Sequence, residues 1–412
     1  MGRDVFAPTW VKSILLLVVA AVATMLFVPF AKWLARKTGA IDYPSARRVN
    51  TDPIPRLGGV AMFLGLAAAL AVALALVFLL VWETPFGIHT MLDDINYVWL
   101  AISALVMFSV GLADDIVRLN PKVKFVGQLL AAGLACASGL LVTGMQAGGH
   151  FVTFGWVAYP LTVLYLVAFA NVINLIDGLD GLASGIVAIS AASILVLAIA
   201  TGQVAAAFLC AGLIGACIGF LRYNFHPASI FMGDSGSLLL GFSLGCASLL
   251  AVAKSALVVS LLVPVVAAGI PVVDTGAAIV RRVRGHRPID EADRGHLHHR
   301  LLEAGYSQRT TVLIMWAWTA LLSAAGVLLV YASGWTYWLI VAVIVALAGF
   351  IIIRFHVLRP TTVHGYDTGA GAPAEAEAGA LVDAPVDVLA GAPSDANHLE
   401  DGQESGDEDG QA

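Results

Sequence analysis

Six aspartates stand at or beside the ends of long apolar runs. Asp114 and Asp115 lie in GLADDIVRLNP (111–121), Asp177 and Asp180 in NVINLIDGLDGLASG (171–185), Asp234 in YNFHPASIFMGDSGSLLLG (223–241), and Asp274 stands in a later run. Carboxylates are the oxygen donors that Mg2+ takes, and positioned carboxylates also act as general bases. An ionised carboxylate in hydrocarbon is costly, so an acid at such a depth marks a functional site by default. Each fragment also has a plainer reading. Asp is common at turns and helix ends, and Asp234, followed by Ser-Gly-Ser and an apolar run, has the position of a helix N-cap.

The elements that must hold these acids are membrane helices. Hydrophobic residues make up 59% of the 412-residue chain and charged residues 12%, with a mean hydropathy of +0.88. Eleven runs are long enough to cross a hydrocarbon core of about 30 Å. They cover approximately 11–34, 57–82, 97–113, 125–144, 155–176, 182–201, 204–222, 235–253, 255–280, 312–333 and 335–354. The expected fold is therefore an all-α polytopic membrane protein. The first run is too long for the apolar core of a cleavable signal, and its positive charge (AKWLARK) follows it. The four cysteines, Cys136, Cys210, Cys217 and Cys246, all fall inside spans and read as small packing residues without metal spacing. No internal repeat of the kind found in many transporters is visible.

Charge sets the orientation. With the N-terminus outside, 19 of the 22 Lys and Arg fall on the inner connections, which places the C-terminus in the cytoplasm. All six aspartates then fall on the cytoplasmic side, whereas helix-capping acids would be spread over both faces. Residues 361–412 hold 12 acids and no Lys or Arg, so the net charge of −6 hides a net of +6 on residues 1–360. Two regions follow: a transmembrane domain over 1–360, and an acidic cytoplasmic tail over 361–412 that reads as disordered.

The fragments share one chemistry. In 171–185 the two Asp-Gly pairs suggest a helix that breaks and restarts at the membrane edge, where irregular backbone must be buried in protein or line a wet cavity. Asn171 and Asn174 add amide groups at the same place. At 233–241 a helix start offers free N–H groups that favour phosphate, beside a carboxylate able to hold Mg2+. The loop RRVRGHRPIDEADRGHLHHRLLEAGYSQR (281–309) is strongly basic and carries His296, His298 and His299. With no cysteine near, those histidines suit a polyanion such as a nucleotide pyrophosphate better than zinc. Acids for Mg2+ and a basic loop for phosphates at one membrane face describe phosphoryl transfer, which is mostly positioning and charge neutralisation.

In this order between these spans, the motifs NLIDGLDGL, FMGDSGSL and HLHHRL resemble those of the polyprenyl-phosphate N-acetylhexosamine-1-phosphate transferases. The resemblance covers roughly residues 11–355. It implies that a polyprenyl phosphate attacks the sugar-bearing phosphate of a UDP-sugar, releasing UMP at the cytoplasmic face of the inner (plasma) membrane. It implies Mg2+, with Mn2+ able to replace it, held chiefly by Asp234 with Asp177 close by. Asp114 and Asp115 are then the catalytic acids at the reacting phosphates, with Lys124 as a phosphate contact and Lys124 or Arg118 as a cationic neighbour. Asn174, Asp180 and Asn224 fall on the nucleotide side with Asn171 beside them, Phe231 is placed to stack on uracil, and His296, His298, His299 and Arg300 belong to the donor-binding loop. HLHHRL and PIPRLGG (53–59) are similar to the N-acetylglucosamine branch, so UDP-N-acetylglucosamine is the expected donor. Asn50 departs from a His frequent in relatives. The expected partners are the two substrates and the membrane, with no nucleic acid, and the resemblance leaves room for a homodimer.

A phospho-N-acetylmuramoyl-pentapeptide transferase is the neighbouring alternative within the family. A cation-coupled transporter or an envelope-assembly scaffold would belong to other classes, but a transporter favours acids near the membrane midplane. The charge bias predicts that a reporter active only in the cytoplasm works when fused after residue 300 or 360 and fails when fused near residue 90 or 147. The reverse pattern at any of these sites would overturn the orientation.

Overall fold

The structure, a computed structural model, describes residues 8–43, 53–79, 95–147, 150–252 and 297–354. Expected span 255–280, the loop from 281 to 296 with His296, Asp274, Asn50 and the tail beyond 354 lie outside the described residues.

The described chain is mostly helical. The helices are α1 (Thr9–Thr38), α2 (Gly58–Phe78), α3 (Tyr97–Val117), α4 (Pro121–Ala137), α5 (Ala158–Ile176), α6 (Leu182–Ala200), α7 (Val204–Asn224), α8 (Gly233–Val252), α9 (Leu297–Glu303), α10 (Gln308–Tyr331) and α11 (Gly334–Arg354). Two short antiparallel hairpins complete it: β1 (Ile41–Asp42) with β2 (Ile54–Pro55), and β3 (Gly144–Ala147) with β4 (His150–Thr153).

Among the described residues, eight helices are long and apolar enough to cross a membrane. They coincide within a few residues with eight of the eleven expected runs. The run expected at 125–144 is instead a helix of 17 residues, about 26 Å at 1.5 Å per residue. Its start is set by Asn120, whose side-chain oxygen accepts from the Lys122 N–H at 2.9 Å, with Pro121 at the first helical position. Its end comes where Gly139 turns at φ 92° towards β3. The run expected at 335–354 falls on α11.

The helices pack as α1 against α2 and α7, α3 against α4 and α8, α4 against α5, α6 against α7 and α10, and α10 against α11. Helix α8 is the hub. It touches α2, α3, α5, α6 and α7, and every residue from Ser235 to Ala251 is buried. Enclosure by protein rather than lipid explains why this helix tolerates the buried hydroxyls of Ser235, Ser237, Ser243 and Ser248.

Close approach at the hub rests on glycine. A Cβ on Gly59 of α2 would lie 2.1 Å from the Gly236 backbone N, and one on Gly111 of α3 would lie 2.4 Å from the Asp234 carbonyl oxygen. Backbone atoms cannot swing aside as a flexible side chain can. Gly59→Ala and Gly111→Ala should therefore each cost about 1–3 kcal/mol through overpacking, read as a lower thermal midpoint in detergent. Gly133→Ala, where a Cβ meets nothing within 4 Å, should show no loss.

Candidate active site

The polar fragments converge at one end of the bundle, where α3, α5 and α7 finish and α4, α6 and α8 begin. The turn between α3 and α4 shows how a local sequence builds it. Arg118 adopts a left-handed conformation at φ 52°, and its N–H donates to the Asp114 carbonyl at 2.9 Å. The next N–H, of Leu119, donates to Asp114 Oδ1 at 2.8 Å. The Asp114 side chain thus stabilises the turn that reverses the chain, and α4 then brings Lys124 back alongside it.

Lys124 is the central cation. Its Nζ donates to Asp114 Oδ2 at 3.3 Å and also to Asp234 Oδ2. The other oxygen of Asp234, Oδ1, accepts from Asn174 Nδ2 at 3.0 Å, and that amide also reaches Ser237 Oγ at 2.8 Å. Asp114, Lys124, Asn174 and Asp234 therefore form one connected group drawn from α3, α4, α5 and α8.

Asp115 is turned the other way. Only 3% exposed, it accepts from the Asp234 N–H on Oδ1 at 2.8 Å and from the Ser235 N–H on Oδ2 at 2.9 Å. The cap of α8 thus comes from α3, and Asp234, whose sequence position is that of a cap, keeps its carboxylate for other partners. Arg56 lies against the same corner. Its Nη2 donates to the Asp115 and Asp114 carbonyls at 2.9 and 3.3 Å, its Nε reaches the Asp115 carbonyl at 3.3 Å, and that Nε lies 3.9 Å from Asp115 Oδ1.

Arg56 belongs to a segment tied to the start of α8. The Phe231 N–H donates to the Pro55 carbonyl at 2.8 Å, and the Gly58 and Gly59 N–H groups donate to Phe231 and Met232 carbonyls at 2.9 and 2.8 Å. Gly233 turns at φ 71°, and a Cβ there would sit 2.2 Å from the Arg56 carbonyl oxygen and 2.5 Å from Asp115 Oδ2, so only glycine fits.

The remaining expected residues divide. Asp177 ends α5 and accepts no hydrogen bond among the described residues. Burial first, then the nearby carboxylates of Asp234, Asp115 and Asp180, push its carboxyl up to about 8. Asp180 Oδ2 instead has partners, His226 Nδ1 at 2.8 Å and the Ala228 N–H at 3.0 Å. Asn224 is 3% exposed and bridges backbone, accepting from the Gly181 N–H and donating to the Ile230 carbonyl, both at 3.0 Å. Asn171 pairs with Gln128 across α4 and α5 through both amides, at 2.7 and 3.2 Å. Both asparagines thus have their amides bound within the protein and shape the site from behind. Phe231 is partly exposed beside Asp234. Arg118 is exposed at its turn. His298, His299 and Arg300 lie on α9, which packs on α10.

Arg56, Gln128 and His226 are partners that the motif reading did not single out. Arg56 stood in the quoted PIPRLGG segment, but nothing there said which acid it would meet.

Among the described residues no three His, Cys, Asp or Glu side chains converge as a ready cation cluster. Lys124 lies between two of the acids. The donor chemistry nevertheless fits a hard divalent ion: carboxylate oxygens of Asp234 and Asp177, the latter held near other negative charge without a donor of its own.

The model of glycosyl transferase family 4 matches residues 97–252, which span the three acid-bearing segments. The Bacillus subtilis protein named probable undecaprenyl-phosphate N-acetylglucosaminyl 1-phosphate transferase is 36% identical over 339 residues, covering 81% of this chain and 90% of its own. The decaprenyl-phosphate N-acetylglucosaminephosphotransferase of Mycolicibacterium smegmatis is 35% identical, over 74% of this chain and 79% of its own. A phospho-N-acetylmuramoyl-pentapeptide-transferase of Desulforamulus reducens is 32% identical, over 69% of this chain and 84% of its own. With the four-residue group at the bundle end and relatives that match along most of their length, the chain belongs to glycosyl transferase family 4, the polyprenyl-phosphate sugar-1-phosphate transferases.

Proposed function

We propose that the protein transfers N-acetylglucosamine 1-phosphate from UDP-N-acetylglucosamine to a polyprenyl phosphate, forming polyprenyl-diphospho-N-acetylglucosamine and UMP at the cytoplasmic face of the plasma membrane. The observation that carries this reading is the joining of Asp114, Lys124, Asn174 and Asp234, from four different helices, at one end of a membrane bundle. Of the three relatives described above, the two named for N-acetylglucosamine are more similar than the one named for the muramoyl pentapeptide, 36% and 35% against 32%. That difference supports the smaller donor.

An oxygen of the lipid phosphate attacks the phosphorus that carries the sugar. A new P–O bond forms there, the bond to the bridging oxygen breaks, and UMP leaves with that oxygen and its electron pair. The Lys124 ammonium can neutralise charge gathering on the phosphoryl oxygens, and Asn174 holds Asp234 in place while Ser237 holds Asn174. Asp114, beside Lys124, is set to orient the attacking lipid phosphate. Because an alkyl phosphate with a second pKa near 6 is largely ionised at neutral pH, orientation is worth more here than a strong base. Mg2+ at Asp234 and Asp177 would supply further charge neutralisation between donor and acceptor phosphates.

Purified protein should release UMP from UDP-N-acetylglucosamine plus polyprenyl phosphate, lose that activity on chelation of divalent cations, and regain it with Mg2+. No release with either UDP-N-acetylglucosamine or the UDP-muramoyl-pentapeptide donor would overturn the reading, and release with the second alone would reassign the donor.

Single substitutions should separate the roles. Asp114→Asn should lower turnover by about a hundredfold, the scale of one general acid–base or orienting group. Lys124→Met should cost about a hundredfold to a thousandfold, as for loss of a preorganised charge-stabilising donor. Asp234→Asn should instead raise the Mg2+ concentration needed for half-maximal rate most strongly. Near-normal UMP release by folded Asp114→Asn would reduce that residue to the end of a helix.

A further inference from the structure

We propose that Arg56 and Asp115 form a positioning unit that fixes Asp234 from outside the reacting groups. Asp115 holds the Asp234 and Ser235 amides at the start of α8, and Arg56 holds the end of α3 that carries Asp115. The resemblance places both Asp114 and Asp115 at the reacting phosphates, but their surroundings are opposite. Asp114 faces Lys124 with one oxygen, whereas both oxygens of Asp115 accept backbone N–H groups and the residue is 3% exposed. A carboxylate so enclosed has no face left for a phosphate.

Arg56 has the geometry to complete the unit. Its guanidinium reaches two carbonyls at the end of α3 at once, that of Asp115, left without a backbone donor by the helix end, and that of Asp114, which also accepts the Arg118 N–H. Its own place is fixed by the backbone ladder from Pro55, Gly58 and Gly59 to Phe231 and Met232. The ladder, the guanidinium and the carboxylate thus grip the segment 231–235 from two helices. What they position is the Asp234 backbone, and through it the carboxylate that meets Lys124 and Asn174. For its effect on turnover the inference rests on the transferase reading, but its structural core can be read without substrate.

Hydrogen exchange followed by mass spectrometry on the full chain in detergent, using peptides across 229–240, tests it. Asp115→Asn keeps one acceptor oxygen and Arg56→Lys keeps the charge without the fork, so both folded variants should speed exchange of the Asp234 and Ser235 amides by about fivefold or more, the scale of a lost cap. Asp114→Asn should leave those amides within about twofold of wild type. In turnover, Asp115→Asn should lower kcat with both substrate KM values within about twofold, and should retain clearly more activity than Asp115→Ala. A carboxylate acting directly as a base is lost equally in Asn and Ala. Unchanged exchange in Asp115→Asn and Arg56→Lys, or equal loss of turnover in Asp115→Asn and Asp115→Ala, would overturn the proposal. Where Asp115→Ala fails to fold, the exchange comparison of Arg56→Lys with Asp114→Asn decides alone. Absence of UMP release by the wild-type chain would count against the transferase reading while leaving the exchange result intact.

Discussion

The start of α8 and the carboxylate of Asp115 satisfy each other at a depth where water cannot do so freely. The first N–H groups of any helix lack intrahelical partners, and α8 is buried from Ser235 onward. A buried carboxylate has the complementary problem, since its charge must be compensated or neutralised. Two amide bonds at 2.8 and 2.9 Å, the positive end of the helix dipole and Arg56 nearby solve both at once. Around that contact the bundle has little freedom. Gly59 and Gly111 let α2 and α3 approach the backbone of α8 more closely than any side chain would allow, and Gly233 supplies the turn that aims the first amides at Asp115.

This contact also explains why two adjacent acids are useful. Successive helical residues point about 100° apart, so a pair at the end of α3 faces two directions from one position. One side chain looks inward to α8 and the other towards α4, where Lys124 joins it to Asp234. The carboxylate that caps α8 and the carboxylate that meets Lys124 thus share a backbone, and any shift of α3 moves both. The Gln128–Asn171 and Asn224 bridges hold the flanking helices in the same manner, with buried amides satisfied inside the protein.

Much of this was legible in the sequence. Apolar length located the helices to within a few residues, because a membrane core imposes the same minimum on each. The clustering of acids at one end followed from charge bias and motif position, and Asp114, Lys124, Asn174 and Asp234 do meet. Pairing between segments was not legible. NVINLIDGLDGL does not show that Asn171 turns to Gln128 while Asn174, one helical turn on, turns to Asp234. Nor does FMGDSGS show that the cap of its helix comes from a residue more than a hundred positions away. Such choices depend on helix rotation and tertiary neighbours, which periodicity does not specify. The 17-residue α4 differs from its expected span for a local reason, the Asn120–Pro121 start and the turn at Gly139.

Charge balance gives the strongest physical reason for a divalent ion in the proposed reaction. Asp115 is compensated by two amides and Arg56, and Asp180 is hydrogen-bonded to His226 and the Ala228 amide away from Lys124. That leaves Asp114 and Asp234 on Lys124, with Asp177 close to Asp234. One ammonium already shared by two carboxylates cannot also neutralise a pyrophosphate and a lipid phosphate brought beside them. Like charges about 4 Å apart repel by about 4 kcal/mol at an effective dielectric of about 20. The carboxyl of Asp177 is pushed up to about 8, first by burial and then by its acidic neighbours. A bound Mg2+ would relieve this crowding of negative charge, holding Asp177 ionised and leaving Lys124 able to serve the phosphates. The same arrangement accounts for the distribution of polar contacts, in which Asp115 accepts on both oxygens and Asp180 has partners on Oδ2, whereas Asp177 has no donor among the described residues.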